Sequence, residues 1–150
     1  MKNNYNKALT LVKEEFKNIV DKSGVPYINH LKTVSNDVKK YGELYMTVGL
    51  LHDIIEDIKG WNVKKLQEEF GYETAFYVRV LTKKRGEEYE KYIKEIAKYK
   101  VSTIVKLADL KHNMDINRLT EVTNKDIERI KKYNWAYSFL SSKLQLKQKS

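Results

Sequence analysis

The chain has no cysteine, which excludes a disulfide framework and any metal site built on thiolates. It has one proline, Pro26, and six glycines among 150 residues, so few residues interrupt regular structure. No apolar run approaches the roughly 20 residues needed to span a membrane. The start, Met1-Lys2-Asn3-Asn4-Tyr5, has no apolar leader core. A soluble, cytoplasmic protein is the expectation. There is no internal repeat, low-complexity block or linker, and the length suits one domain. Hydrophobic residues make up 41% of the chain, enough to exclude disorder and build a core.

Arginine and histidine are also scarce. Only Arg79, Arg85, Arg118 and Arg129 stand among 29 basic residues, and the formal net charge is +9. Lysines spread along the whole chain rather than forming one basic arm. That balance favours a polyanionic partner, either a nucleic acid or a phosphorylated small molecule.

The apolar pattern is helical almost throughout. Tyr5, Ala8, Leu9, Val12, Phe16 and Ile19 predict a helix over about 4–20, followed by a loop from Asp21 to Pro26. Leu31, Val34, Val38 and Tyr41 predict a second helix ended by Gly42, and Leu44, Val48, Leu51 and Ile55 a third. Asn62 is a candidate N-cap for a short helix closing at Phe70-Gly71. Further helices are expected over Glu73–Leu81 and Glu88–Lys98, separated by a basic loop. Val101-Ser102-Thr103-Ile104-Val105 suits a strand as well, but is read as the start of a helix carrying Asp109. A last helix covers about Lys125 to Leu140, and residues 143–150 form a polar tail.

Four polar residues stand in apolar surroundings. They are His30, the adjacent His52 and Asp53, and Asp109 in Val105-Lys106-Leu107-Ala108-Asp109. Burying two carboxylates is costly without compensation. Two imidazoles and two carboxylates are a ligand set for one divalent cation, which would supply it. Glu56 follows His52 by four residues and Asp57 follows Asp53 by four. On a continuous helix both acids lie one turn from the ligands, placed to act on a water beside the ion. His112, three residues after Asp109, could approach the same face, though the set of four suffices without it. Lys83-Lys84-Arg85 reads either as a solvated loop or as a phosphate-binding rim. Most tyrosines and both tryptophans are expected in packing; Tyr27, in the loop leading to His30, is the exception.

With these stretches in order, the chain resembles the HD superfamily of metal-dependent phosphohydrolases. It is most similar to the hydrolase domain of the RelA/SpoT alarmone enzymes and their small relatives. The resemblance rests on Lys22-Ser23-Gly24-Val25-Pro26-Tyr27-Ile28-Asn29-His30, Leu51-His52-Asp53-Ile54-Ile55-Glu56-Asp57, Phe70-Gly71, Leu81-Thr82-Lys83 and Val105 to Met114. It implies an all-α, single-domain HD-type bundle of about eight helices over residues 1–142. It implies one ion, usually manganese, on His30, His52, Asp53 and Asp109. Glu56 and Asp57 match the family's catalytic acids, and Lys22, Ser23 and Asn113 its nucleotide contacts. Tyr27 and Lys83 complete the expected substrate-binding set.

The implied reaction removes the 3′-diphosphate of guanosine tetra- or pentaphosphate, giving GDP or GTP and pyrophosphate. The chain carries Asp21 where the family often has a basic residue and Val25 where it often has Glu. Its 150 residues leave no room for a synthetase domain. Two rivals stand beside this reading. One is the same scaffold acting on another nucleotide, such as a nucleoside monophosphate or NADPH. The other is a basic helical nucleic-acid-binding module, against which the scarcity of Arg counts.

Overall fold

In the computed structural model, residues 4–149 are described. Residues 1–3, which open the stretch read as lacking a leader core, and Ser150 of the expected tail lie outside them. Nine α-helices and two short 3₁₀ turns occupy the described residues, with no strand beyond one isolated bridge. The helices are α1 (Asn4–Glu15), α2 (Ile28–Asp37), α3 (Glu43–Leu51), α4 (Ile54–Asp57), α5 (Val63–Phe70), α6 (Tyr72–Leu81), α7 (Tyr89–Ile96), α8 (Lys100–Asn113) and α9 (Asn124–Lys149). No helix is long and apolar enough to cross a membrane.

The all-α expectation holds, and the departures have local causes. The first helix stops at Glu15 rather than near residue 20. Beyond it the chain folds back: Val20 bridges Pro26, the Asp21 N–H donates to the Val25 carbonyl at 2.8 Å, and the Tyr27 N–H reaches Ile19 at 2.9 Å. Asp21 also accepts from the Ser23 and Val25 amides through one carboxylate oxygen, an Asx-type turn that competes with helix. The second helix ends at Asp37 and passes into a 3₁₀ turn at Lys39–Tyr41.

The third helix does not run through Asp53. It ends at Leu51, and His52-Asp53 form a two-residue turn before the single-turn α4. This corrects the expected continuous helix and accounts for the extra element. Asn62 caps α5 as expected, accepting from the Lys65 amide at 2.9 Å, and Gly71 separates α5 from α6 at a φ of +91°. The last helix continues to Lys149, so the stretch expected as a tail from 143 is helical as far as it is described. Its start is held by a reciprocal pair: Asp126 accepts from the Thr123 amide at 2.9 Å while its own amide donates to Thr123 Oγ1, the capping-box pattern.

Val101 to Val105 are helical and all buried, as are Ala108, Asp109 and Leu110. A helix covered on nearly every side shows no amphipathic stripe, which is why this segment reads equally well as a strand. It packs against α2, α3, α6, α7 and α9. Phe16, Leu31, Leu50, Leu51, Ile54, Ile93, Ile96, Leu110 and Leu140 fill the core around it.

One close approach sets the position of α2 on α3. A Cβ on Gly49 would lie 3.1 Å from Ser35 Cα and 3.3 Å from Ser35 N. That is backbone, which cannot rotate away. Gly49→Ala is therefore expected to cost about 1–3 kcal/mol through overpacking. Because α2 carries His30 and α3 leads into His52, the variant should also weaken cation binding. Urea denaturation and metal titration of the purified variant check both; unchanged values in each would show the contact to be soft.

Candidate metal centre and adjoining cavity

His30 enters from the first turn of α2, His52 and Asp53 from the turn after α3, and Asp109 from the middle of α8. One ligand atom from each lies within 4.8 Å of the others. His30 Nε2 stands 2.9 Å from Asp109 Oδ1. His52 Nε2 is 3.3 Å from the same oxygen and 3.1 Å from Asp53 Oδ2. His30, His52 and Asp109 are buried and Asp53 is partly exposed. The break at His52-Asp53 serves this geometry. On a regular helix, neighbouring side chains diverge by about 100°, whereas here both reach the same four-residue cluster.

The chemistry of the set fits a divalent cation. The other nitrogen of each imidazole meets a protein partner: His52 Nδ1 lies 2.6 Å from the Gly49 carbonyl and His30 Nδ1 lies 2.6 Å from His112 Nδ1. The Gly49 carbonyl requires a proton on His52 Nδ1, which leaves Nε2 free to ligate. Burial works against charge on His52, but Asp53 and Asp109 outweigh it and hold the imidazole pKa well above its ordinary value. Burial also works against the Asp109 carboxylate, yet Lys106, His52 and His30 hold it well below the usual range. A protonated imidazole thus offsets part of the negative charge, and a metal ion would displace that proton.

Several supports were not foreseen from the sequence. Lys106 is half-buried, its side chain 13% exposed. Its ammonium donates to Asp109 Oδ2 at 3.0 Å and stands 5.3 Å from the Tyr92 ring centroid. With Oδ2 taken, Asp109 presents Oδ1 to the site. The signal was present in the i, i+3 spacing of Lys106 and Asp109 on one helix. Asn113 donates to Asp109 Oδ1 at 3.1 Å. Tyr27 donates its hydroxyl to Asp53 Oδ2 at 2.5 Å and stacks on Phe16 with centroids 5.5 Å apart. Burial, then the Asp53 charge, pushes its pKa up, so it remains a donor. His112 is outside the group of four, and touches only its back through His30. Burial, Arg118 and His30 lower its pKa to about 4, which keeps it neutral.

Glu56 and Asp57 lie on α4 beside the cluster, their side chains reaching solvent while their carboxyl groups are partly desolvated by the surrounding protein. Glu56 Oε1 accepts from the Lys83 backbone amide at 2.7 Å. Burial raises the Glu56 pKa, with the Lys83 hydrogen bond opposing and Asp53 adding to the rise. Burial, Asp53 and Glu56 push Asp57 up to about 6. Raised carboxylates beside a metal-suited cluster are the property a proton-transfer group needs.

A cavity of about 360 Å³ opens from His30. Lys22, Ser23, Tyr27 and Asn113 line it, as do Arg118, Arg129 and Tyr133. The last three were missed. Arg129 and Tyr133 stand one turn apart on α9, beyond the stretches that carry the family resemblance. Lys83 is absent from this lining; its backbone, not its ammonium, serves the site. The Ser23 hydroxyl is engaged by the Arg118 carbonyl at 2.8 Å. Asp126 lies 3.6 Å from the Lys22 ammonium and also pairs with Arg129, and Asp21 holds Arg118 at 3.2 Å. Asp21 and Asp126 thus offset part of the charge of the cationic wall.

No protein-family model matches the chain. It is 36% identical over 104 residues to a probable GTP pyrophosphokinase of Mycobacterium leprae. It is 33% identical over 106 residues to a probable guanosine-3′,5′-bis(diphosphate) 3′-pyrophosphohydrolase of Synechocystis. Each match covers 62% of this chain, but the chain spans only 13% and 14% of those proteins. A solved structure described as a metazoan ortholog of SpoT that hydrolyzes ppGpp superposes with a TM-score of 0.76 at 21% identity, over 93% of this chain and 86% of that one. The chain therefore shares the helical fold of that structure, and its four-residue cluster is suited to a divalent metal. Over about 105 residues its sequence is similar to one segment of each of those two long proteins.

Proposed function

We propose that the chain hydrolyses the 3′-diphosphate of guanosine tetra- or pentaphosphate, releasing pyrophosphate and GDP or GTP. The observation that carries this reading is the cluster of His30, His52, Asp53 and Asp109, of which His30 lines a cavity walled by Lys22, Arg118 and Arg129. The 3′-pyrophosphohydrolase relative and the ppGpp-hydrolysing structural neighbour support the choice of substrate. His30, His52, Asp53 and Asp109 would hold the cation, taken to be manganese, with residues 1–142 as the catalytic unit. The same reading puts the protein in the cytoplasm.

A divalent cation bound there supplies positive charge to the reacting phosphoryl oxygens and acidifies a water. Glu56 and Asp57 orient the attacking water and take its proton. Water oxygen forms a bond to the phosphorus at the 3′ position, the bond from that phosphorus to the 3′ oxygen breaks, and the 3′ oxygen leaves as a hydroxyl with a proton returned by the acid pair. Tyr27, Lys106 and Asn113 keep the two ligand carboxylates aimed. Lys22, Arg118 and Arg129 meet phosphates that do not react, exchanging Asp21 and Asp126 for them.

The test is pyrophosphate release from guanosine tetraphosphate by the purified protein with manganese added. Cleavage of a simple 5′-monophosphate or of NADPH, with none of the tetraphosphate, would replace this reading by the broader phosphohydrolase one. Lys22→Ala is expected to raise KM several-fold while kcat changes less, because its ammonium would hold a group uninvolved in bond breaking. Equal losses in kcat and kcat/KM would instead place Lys22 at the reacting phosphate.

A further inference from the structure

We propose that His112 is a positioning residue that selects the metal-competent tautomer of His30. The inference rests on the reading that His30 is a metal ligand. The two imidazoles face each other through Nδ1 at 2.6 Å, with ring centroids 4.9 Å apart and planes 11° from parallel. The centroid separation is what remains when one ring radius is added at each end of the N···N distance. The rings are therefore coplanar and edge to edge, not face to face, and the nitrogen axes point at one another. Two ring nitrogens in that arrangement share one proton.

Where that proton sits decides what His30 offers the site. If His112 carries it, His30 Nδ1 accepts, and the neutral His30 ring bears its own proton on Nε2, aimed at Asp109 Oδ1 2.9 Å away. That proton occupies the place of a cation. If His30 Nδ1 carries it, His112 accepts and the His30 Nε2 lone pair points into the cluster. His112 thus does for His30 what the Gly49 carbonyl does for His52. The difference is that a carbonyl can only accept, whereas an imidazole can also donate.

The end of α8 is fixed for this purpose. Arg118 donates to the His112 backbone carbonyl at 2.8 Å and pairs with Asp21 across the cavity loop. Met114 and Asp115 close the helix by hydrogen bonds to Leu110 and His112. The ring is held on a tethered helix end rather than on a free side of the molecule.

The test uses the full chain and Zn²⁺, a diamagnetic ion, followed by Mn²⁺. In Zn²⁺-loaded wild type, ¹⁵N spectra should show His30 protonated at Nδ1 and ligating through Nε2. His112→Phe keeps a flat ring but removes the acceptor, and should weaken binding of either ion by about 10–100-fold, the usual consequence of losing such a support. His112→Asn returns an acceptor oxygen near the Nδ1 position and should recover most of that loss. A merely structural role would move neither the tautomer pattern nor the Asn rescue. Wild-type affinity in His112→Phe, or His30 protonated at Nε2 in the loaded protein, overturns the inference while leaving the metal centre standing. Failure of the wild type to bind either ion overturns the metal reading itself, and this inference with it.

Discussion

Asp109→Ala should lose bound metal, activity and stability together. Its Oδ1 is the point on which His30, His52 and Asn113 converge, and its Oδ2 holds the Lys106 ammonium at 3.0 Å. Removing the carboxylate takes away the central ligand and leaves Lys106 buried without a counter-charge. Breaking a buried pair from one side typically costs about 3–5 kcal/mol, a large share of a small domain's stability. The double variant Asp109→Ala/Lys106→Met separates the two effects. It removes the orphaned charge, so it should regain much of the lost stability while regaining neither metal nor turnover. Undiminished metal in the single variant by elemental analysis would sink the ligand assignment. Equal stability of the single and double variants in urea would show that Lys106 finds another partner.

The acid side adds a check. Asp109 is held below the ordinary carboxylate range, so its contribution is complete above the unfolded value near pH 4 and fades as pH falls further and the folded carboxylate is protonated. The stability gap between wild type and Asp109→Ala should therefore be full at neutral pH and narrow below about pH 4.

The four residues of the cluster were legible before the fold because each violates its surroundings. A histidine or aspartate in an apolar stretch must be compensated, and four such residues imply one shared compensation. The helices were legible for the same reason in reverse, since sparse Gly and Pro left the apolar period uninterrupted. What escaped was whatever tertiary contact decides. The break at His52-Asp53 is invisible in an apolar period that runs on from Leu51 to Ile55, because only the gathering of the four-residue cluster calls for it. The loss of helix after Glu15 depends on Asp21 turning the chain locally. Lys106 reads as one lysine among many until its burial is seen. Arg118 and Arg129 become a cavity wall only when the Ile116–Arg118 turn and α9 meet the loop of residues 21–27. His112 was weighed as a ligand, and spacing alone cannot say that it reaches the metal centre through the back of another histidine.

Glu56 and Asp57 should be separable from the ligands by what their loss leaves intact. Glu56→Gln preserves an oxygen for the Lys83 amide, so loop and fold should remain. It cannot take a proton from water, and turnover should fall by a factor of about 10²–10⁴ with the metal retained. Loss of metal in this variant would move Glu56 into the ligand set; full activity would remove it from the mechanism. Asp57 provides the complementary sign. Burial and the neighbouring Asp53 and Glu56 raise its pKa to about 6 in the metal-free protein. A carboxylate raised on folding contributes fully only below its unfolded value near 4, and that contribution is lost as pH rises through about 6. At pH 7 the metal-free protein therefore carries a charge it would be more stable without. Asp57→Asn should raise Tm in EDTA at pH 7, and the gain should shrink by pH 4.5. The same substitution should lower turnover when metal is present. Gained stability with lost activity is what a carboxylate kept for chemistry predicts; a lower Tm at pH 7 would show that Asp57 serves the fold instead.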